Sequence, residues 1–202
     1  MLKAKIIKYS KLLYEKGLNL AMSGNISILH DKLVYITPHG MFKSYLRPED
    51  ISIIRLDGEV LNNIQPSAEY RMHLEIYRER KDISSIIHSH CFYSSIIGLL
   101  PLDFSDFRIF SESLISIGLP ARTNYYMPSS AELAKKVAEA MKASNVVFMA
   151  NNGVTAAGGD IVEAYCRIES AEFYARAVCF LRKEPDIKKI SKAEAERLLN
   201  LL

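Results

Sequence analysis

Residues 83–102 read ISSIIHSHCFYSSIIGLLPL, twenty positions without an Asp, Glu, Lys or Arg. That length alone would carry a helix across a bilayer. Five serines, two histidines, Gly98 and Pro101 interrupt the run, and they divide it into two pieces of different period. Ser84–His90 alternates as a strand does, and Cys91–Leu99 returns as a helix. A buried strand feeding a helix belongs to a mixed α and β core. The membrane reading is rejected.

Composition agrees. The chain has 202 residues, 49% hydrophobic and 24% charged, which suits one domain over 1–202 with a sizeable core and excludes disorder. The net charge is +3, with Lys and Arg scattered at both ends rather than gathered in a patch. That pattern does not favour nucleic acid and leaves anionic small molecules as the natural partners. Cys91, Cys166 and Cys179 form an odd set without CxxC spacing, the usage of a reducing cytosol. The opening MLKAKIIKYSKLLYEKG breaks its apolar residues with Lys and does not read as a signal peptide, so a cytoplasmic location is expected.

Working outward, residues 2–16 place Ile6, Ile7, Leu12 and Leu13 at near-helical spacing, with Gly17 as the stop. Ile26–Leu29 and Leu33–Thr37 read as a hairpin, and Ile51–Leu56 with Glu59–Leu61 as a second one around Asp57-Gly58. After Pro66, SAEYRMHLEIYRER reads as a helix beginning near Ser67. The stretch 101–128 has no clear period. Ser129-Ser130-Ala131-Glu132 resembles a capping box opening a helix to about Ala143. Asn145–Ala150 is a buried strand, Asn151-Asn152-Gly153 and Gly158-Gly159-Asp160 are breaks, and Ile161–Arg182 is a long helix. Ser191–Glu194 caps a last helix. Hairpin-linked strands without a βαβ repeat imply a mixed or antiparallel sheet flanked by helices.

The residues with chemical promise are few. On a strand, His88 and His90 point to one face, and two neutral imidazoles so placed make a chelate for a divalent ion. The plain alternative is two histidines lining a core or a rim. Glu69, with His73 one turn later, offers a carboxylate that serves as ligand or general base beside such a site. Its alternative is a solvated glutamate favoured by the helix dipole, and His73 reads as a packed or hydrogen-bonded histidine. Ser23-Gly24-Asn25, Thr37-Pro38-His39-Gly40 and Pro66-Ser67 are turns that expose N–H groups. They suit a phosphate or carboxylate, or are ordinary loops.

Taken in order, GLNLAMSGNIS, YITPHG, PSAEYRMHLEIY, IIHSHCFYSS and ANNGVTAAGGDIVEAYCRIESAE resemble the class II aldolase/adducin family from about Lys16 to Leu181. The resemblance implies an α/β fold of three αβα layers with a central, mainly antiparallel sheet, in a homotetramer with active sites at subunit interfaces. It implies a metal-dependent aldolase that cleaves a sugar phosphate, such as a ketose 1-phosphate, through an enediolate. Zinc or another divalent ion would sit on His88, His90 and the third position, Asn152. Glu69 would be the acid/base, and Gly24, Asn25, His39, Gly40 and Ser67 the phosphate contacts.

Three departures accompany the resemblance. Asn152 stands where the family places a His, and no His follows His90. An amide offers only a carbonyl oxygen, so zinc should bind more weakly, a harder ion should replace it, or the site should be empty. His39 and Ala68 replace two hydroxyl residues of the phosphate turns. The family's interface Tyr is missing from Asp106–Phe110, and Tyr125 and Tyr126 come later. A 4-epimerase, a dehydratase and a non-catalytic module like the adducin head remain open on the same resemblance.

Overall fold

Helix α1 (Leu2–Glu15) seats Ile6 and Leu13 in the core and gives way to Gly17, whose φ of 68° is the left-handed stop a glycine adopts without strain. The computed structural model describes residues 1–104 and 108–200. Strands β1 (Asn25–His30) and β2 (Leu33–Ile36) pair antiparallel across Asp31 and Lys32, both at positive φ, as a tight two-residue hairpin requires. Strand β3 (Ser52–Arg55) adds to β2, and a bridge from Ile54 to Val60 is what forms of the second hairpin. Helix α2 (Tyr70–Glu79) starts later than its sequence suggests. Pro66 bridges Pro38, and the Ser67 N–H donates to the Thr37 carbonyl, so this segment is held extended and the helix opens only after Glu69.

The opening run divides as expected, into strand β4 (Ser85–Ser89) and helix α3 (Phe92–Gly98). Among the described residues no helix is long and apolar enough to cross a membrane. The segment without a clear period holds helix α4 (Ser111–Ile117) and the short strand β5 (Ala121–Thr123). Helix α5 (Ala131–Ala140) is capped by Ser130, whose Oγ accepts the Leu133 N–H at 3.0 Å. Ser129, at φ 65°, is not the cap, which corrects the box expected over 129–132. Strands β6 (Val146–Met149) and β7 (Val154–Gly158) precede helix α6 (Ile161–Leu181), capped by Asp160. Helix α7 (Lys192–Leu199) carries the reciprocal Ser191–Glu194 box.

Among the described residues the strands form one sheet in the order β3-β2-β1-β4-β7-β6-β5. Every pairing is antiparallel except β5 with β6, so the sheet is mixed. Two separate apolar clusters flank it. Ile26, Ile28, Ile87, Val146, Phe148 and Val154 pack toward α1, α3 and α6, whereas Val34, Ile36, Ile86, Val147, Met149 and Ala157 pack toward α2 and α5. This is the three-layer αβα arrangement. Strand alternation then settles the site's location: His88 shares a face with Ile86, so its side chain projects into the α2–α5 layer.

Candidate active site at the end of the central strand

Four loops and strand ends meet where β4 runs out. Gly24 and Asn25 open β1, and Asn25 lies opposite His88 in the β1–β4 register. The Thr37 hydroxyl accepts the Ile26 N–H at 3.2 Å, and the Thr37 carbonyl accepts the Ser67 N–H at 3.0 Å. The His39 N–H donates to the Gln65 carbonyl. The three hydroxyl- and glycine-rich turns of the sequence are thereby stitched side by side. His39 itself is exposed, Gly40 faces open space at φ 67°, and Ser67 is buried.

The two imidazoles touch. His88 Nε2 lies 3.1 Å from His90 Nε2, with ring planes 70° apart. The Nδ1 of His88 lies 3.2 Å from the Val154 carbonyl, which can only accept, so Nδ1 carries the proton and Nε2 keeps its lone pair. Burial, then the neighbouring His90 and His73, holds His88 well below the ordinary imidazole range, and burial lowers His90 as well. Two neutral nitrogens about 3.3 Å apart are what a tetrahedral ion with bonds of about 2.0–2.1 Å spans.

Glu69 reaches the same region from the residue before α2. It is buried, and its Oε1 accepts the Ser129 N–H at 3.3 Å and meets Asn152 Nδ2 at 3.5 Å. Burial raises its pKa above the usual carboxylate value, while these two donors pull it partly back. Asn152 sits in the tight turn between β6 and β7, where Met149 N–H donates to the Gly153 carbonyl. Gly153, at φ 73°, presses against β4 so closely that a Cβ there would overlap the Ser89 carbonyl and lie 3.1 Å from His90 Cα. The order is therefore Glu69, Asn152, Gly153, then His90 and His88. No hydrogen bond links Glu69 directly to either imidazole, and among the described residues no three His, Cys, Asp or Glu side chains are grouped to hold one ion. The two neutral imidazole nitrogens are themselves donors of a kind that suits a divalent cation.

Two residues of this region escaped the sequence. Asn19 Oδ1 accepts the His90 N–H at 3.2 Å and the Ser89 hydroxyl at 3.0 Å. It approaches because Gly24 has no side chain, since a Cβ there would come within 2.7 Å of Asn19 Cγ. Lys43 is buried, and its Nζ donates to the carbonyls of Pro38 at 2.7 Å and Met41 at 3.1 Å, while its N–H donates to Ala21. Burial brings its pKa down to about 8. A buried lysine between two glycine turns has no signature in sequence. Cys91, just past His90, is inert by contrast, its thiol pushed up to about 12 by burial.

The remaining expectations fall elsewhere. Asp106 and Phe107 lie outside the described residues. Tyr125 is exposed, in the loop that delivers Ser129 to Glu69. A cavity of about 540 Å3 lies away from the site, lined by Arg80, Asp82, Ser144 and Arg167. Arg80 there is occupied by Asp82, the Met141 and Ser144 carbonyls and Asn145.

The chain is similar to known proteins in sequence and fold. The chain is 31% identical to the L-fuculose phosphate aldolase of Methanocaldococcus jannaschii over 86% of its own length and 93% of the relative's. It is 32% identical to the 5-deoxy-D-ribulose 1-phosphate aldolase of Bacillus thuringiensis over 96% and 91%. Among solved structures, an L-fuculose 1-phosphate aldolase superposes with a TM-score of 0.89 at 28% identity, covering 99% of this chain and 95% of that one. Residues 4–179 match the family described as Class II Aldolase and Adducin N-terminal domain. With sequence and fold agreeing over nearly the whole length, the chain belongs to the class II aldolase and adducin family.

Proposed function

We propose that the chain is a divalent-metal-dependent aldolase that cleaves a ketose 1-phosphate. The observation that carries this reading is the pair of neutral imidazole nitrogens 3.1 Å apart, with Asn152 and Glu69 ordered beside them at the same strand end. His88, His90 and the Asn152 amide oxygen would hold the ion. Once bound, it supplies the positive charge that stabilises oxyanions of a hydroxy-carbonyl substrate.

The chain's own groups do the rest. Glu69, kept largely out of water, delivers a proton to the carbon left electron-rich when the C–C bond breaks, and takes it back in the synthetic direction. Its pKa, raised above the usual carboxylate value by burial, suits a group that must both take up and give back a proton. Ser67, the Gly24–Asn25 turn and the His39–Gly40 turn would receive the phosphate through N–H and hydroxyl donors. A homotetramer and a cytoplasmic setting belong to the same reading. Exposed Phe92, Phe173 and Phe180 support an assembly that covers them.

Asn152 favours a second reading, a binding module that has lost catalysis. One experiment separates the two. Metal-free protein is titrated with Zn2+, Mn2+ and Co2+ by calorimetry, then assayed against a panel of ketose 1-phosphates for release of dihydroxyacetone phosphate. Micromolar binding of one ion, with turnover that a chelator abolishes, is the expected result. No ion bound below 100 μM and no turnover would reject the aldolase.

A further inference from the structure

Helix α2 buries a histidine that the chemistry above does not use. His73 has no exposed surface, yet both ring nitrogens are engaged. Nδ1 lies 2.6 Å from Ser27 Oγ, and Nε2 lies 2.5 Å from Asn25 Oδ1. Ser27 Oγ is in turn 2.8 Å from the Tyr77 phenol, one turn further along α2. Burial brings the His73 pKa down to about 3, so the ring carries one proton rather than two. An amide oxygen only accepts, so that proton is on Nε2, and Nδ1 receives the Ser27 hydroxyl. Tyr77 then donates to Ser27.

The chain of bonds has a direction, Tyr77 to Ser27 to His73 to Asn25, and its end is informative. Asn25 is 4% exposed, its oxygen is tied inward, and its Nδ2 meets no protein acceptor among the described residues, yet it is not a sealed orphan. It opens β1 next to Gly24, across from His88. An unrestrained amide presents oxygen as readily as nitrogen, and oxygen would repel an anion.

We propose that His73 is a positioning residue: through the Tyr77–Ser27–His73 chain it locks the Asn25 amide with oxygen inward and the N–H2 group turned to the site, as a donor for the substrate's anionic group. The inference rests on the reading of Asn25 as an anion contact given above.

Two measurements test it. Long-range 15N–1H correlation on the whole protein should find His73 as the Nε2–H tautomer, unprotonated from pH 5 to 8. The Nδ1–H tautomer or a protonated ring would overturn the lock. Inorganic phosphate binding, followed by calorimetry, should weaken about tenfold in His73→Phe, the loss of one hydrogen bond to a charged group. It should weaken as much in Asn25→Ala, and no further in the double variant. His73→Gln, whose amide N–H reaches the place of Nε2, should recover most of the affinity. A purely structural histidine would lower the melting temperature and leave phosphate binding untouched, which overturns the positioning role. If Asn25→Ala alone leaves phosphate binding unchanged, the reading of Asn25 fails first, and the inference falls with it. Should His73→Phe not fold, His73→Gln and the tautomer decide.

Discussion

Gly153→Ala is the sharpest single perturbation of this site, and Gly17→Ala is its control. Both glycines have φ near 70° (73° and 68°), and a Cβ at Gly17 would meet nothing within 4 Å. The control therefore isolates the backbone cost of a side chain in the left-handed region, about 1 kcal/mol. At Gly153 the same cost applies, and the new methyl also overlaps the Ser89 carbonyl and crowds His90 Cα at 3.1 Å. Carbon contacts settle near 3.5 Å, so the β6–β7 turn must part from β4 by roughly 1 Å. Backbone is on both sides and no flexible side chain can yield, so overpacking adds about 2 kcal/mol or more. The two variants should differ in melting temperature by about 6 °C or more, with Gly17→Ala about 3 °C below the parent. The shift also moves Asn152 relative to His88 and His90, and a misplacement of that size costs about a hundredfold in turnover. Thermal scans and kcat measured on all three proteins at 25 °C provide the test. If Gly153→Ala melts within 2 °C of Gly17→Ala and keeps its kcat, the turn is not what holds the site in register.

Glu69→Gln should lower kcat by about 10² to 10⁴ while moving the melting temperature by less than about 2 °C, and steady-state kinetics with a matched thermal scan checks both. Asn152→His should tighten Zn2+ at least about tenfold, read by competition with a chromophoric chelator, and an unchanged affinity would place the ion elsewhere. Lys43 has a folded pKa of about 8 against 10.5 in its ordinary state, so between these values the unfolded chain binds the extra proton. Folding stability attributable to Lys43 therefore rises with pH across that window, by roughly 3 kcal/mol at most, and is level below about 8, where both states hold the proton. Urea denaturation of the parent and Lys43→Met from pH 7 to 10.5 should show a slope that the variant lacks.

How much of this was legible in the sequence depends on range. The β1–β2 hairpin, α2, β4, β6 and α6 announce themselves through local period and caps, and the His88–Ser89–His90 spacing sets two rings on one face whatever surrounds them. Strand β7 does not. Its Val154–Gly158 segment is buried along its whole length between helices on both faces, so it shows no alternation, and its small residues lie between two glycine breaks. The three residues of β5 are too short to carry a period. The helix start at Ser67 failed for a related reason: a bridge from Pro66 to Pro38, far earlier in the chain, holds that segment extended. Asn19 and Lys43 work through contacts that exist only after the chain has closed, one through a missing Cβ at Gly24 and the other through three loop carbonyls or their neighbours.

Asn152 draws these strands together. It must sit in a turn between two residues of positive φ, Asn151 and Gly153, which fixes where its side chain begins. Its Nδ2 faces the Glu69 carboxylate, so the amide's single acceptor is free to face another way. Aspartate there would set a second negative charge against Glu69 and raise its pKa further, whereas alanine would leave Glu69 with the Ser129 N–H alone. A histidine would meet the carboxylate with a ring nitrogen and keep another for an ion. Asparagine can likewise satisfy both neighbours, but with oxygen in place of nitrogen. On the aldolase reading proposed above, the asparagine keeps the support of Glu69 and offers a harder third donor, so the identity of the ion bound, and whether one binds at all, is the consequence to measure.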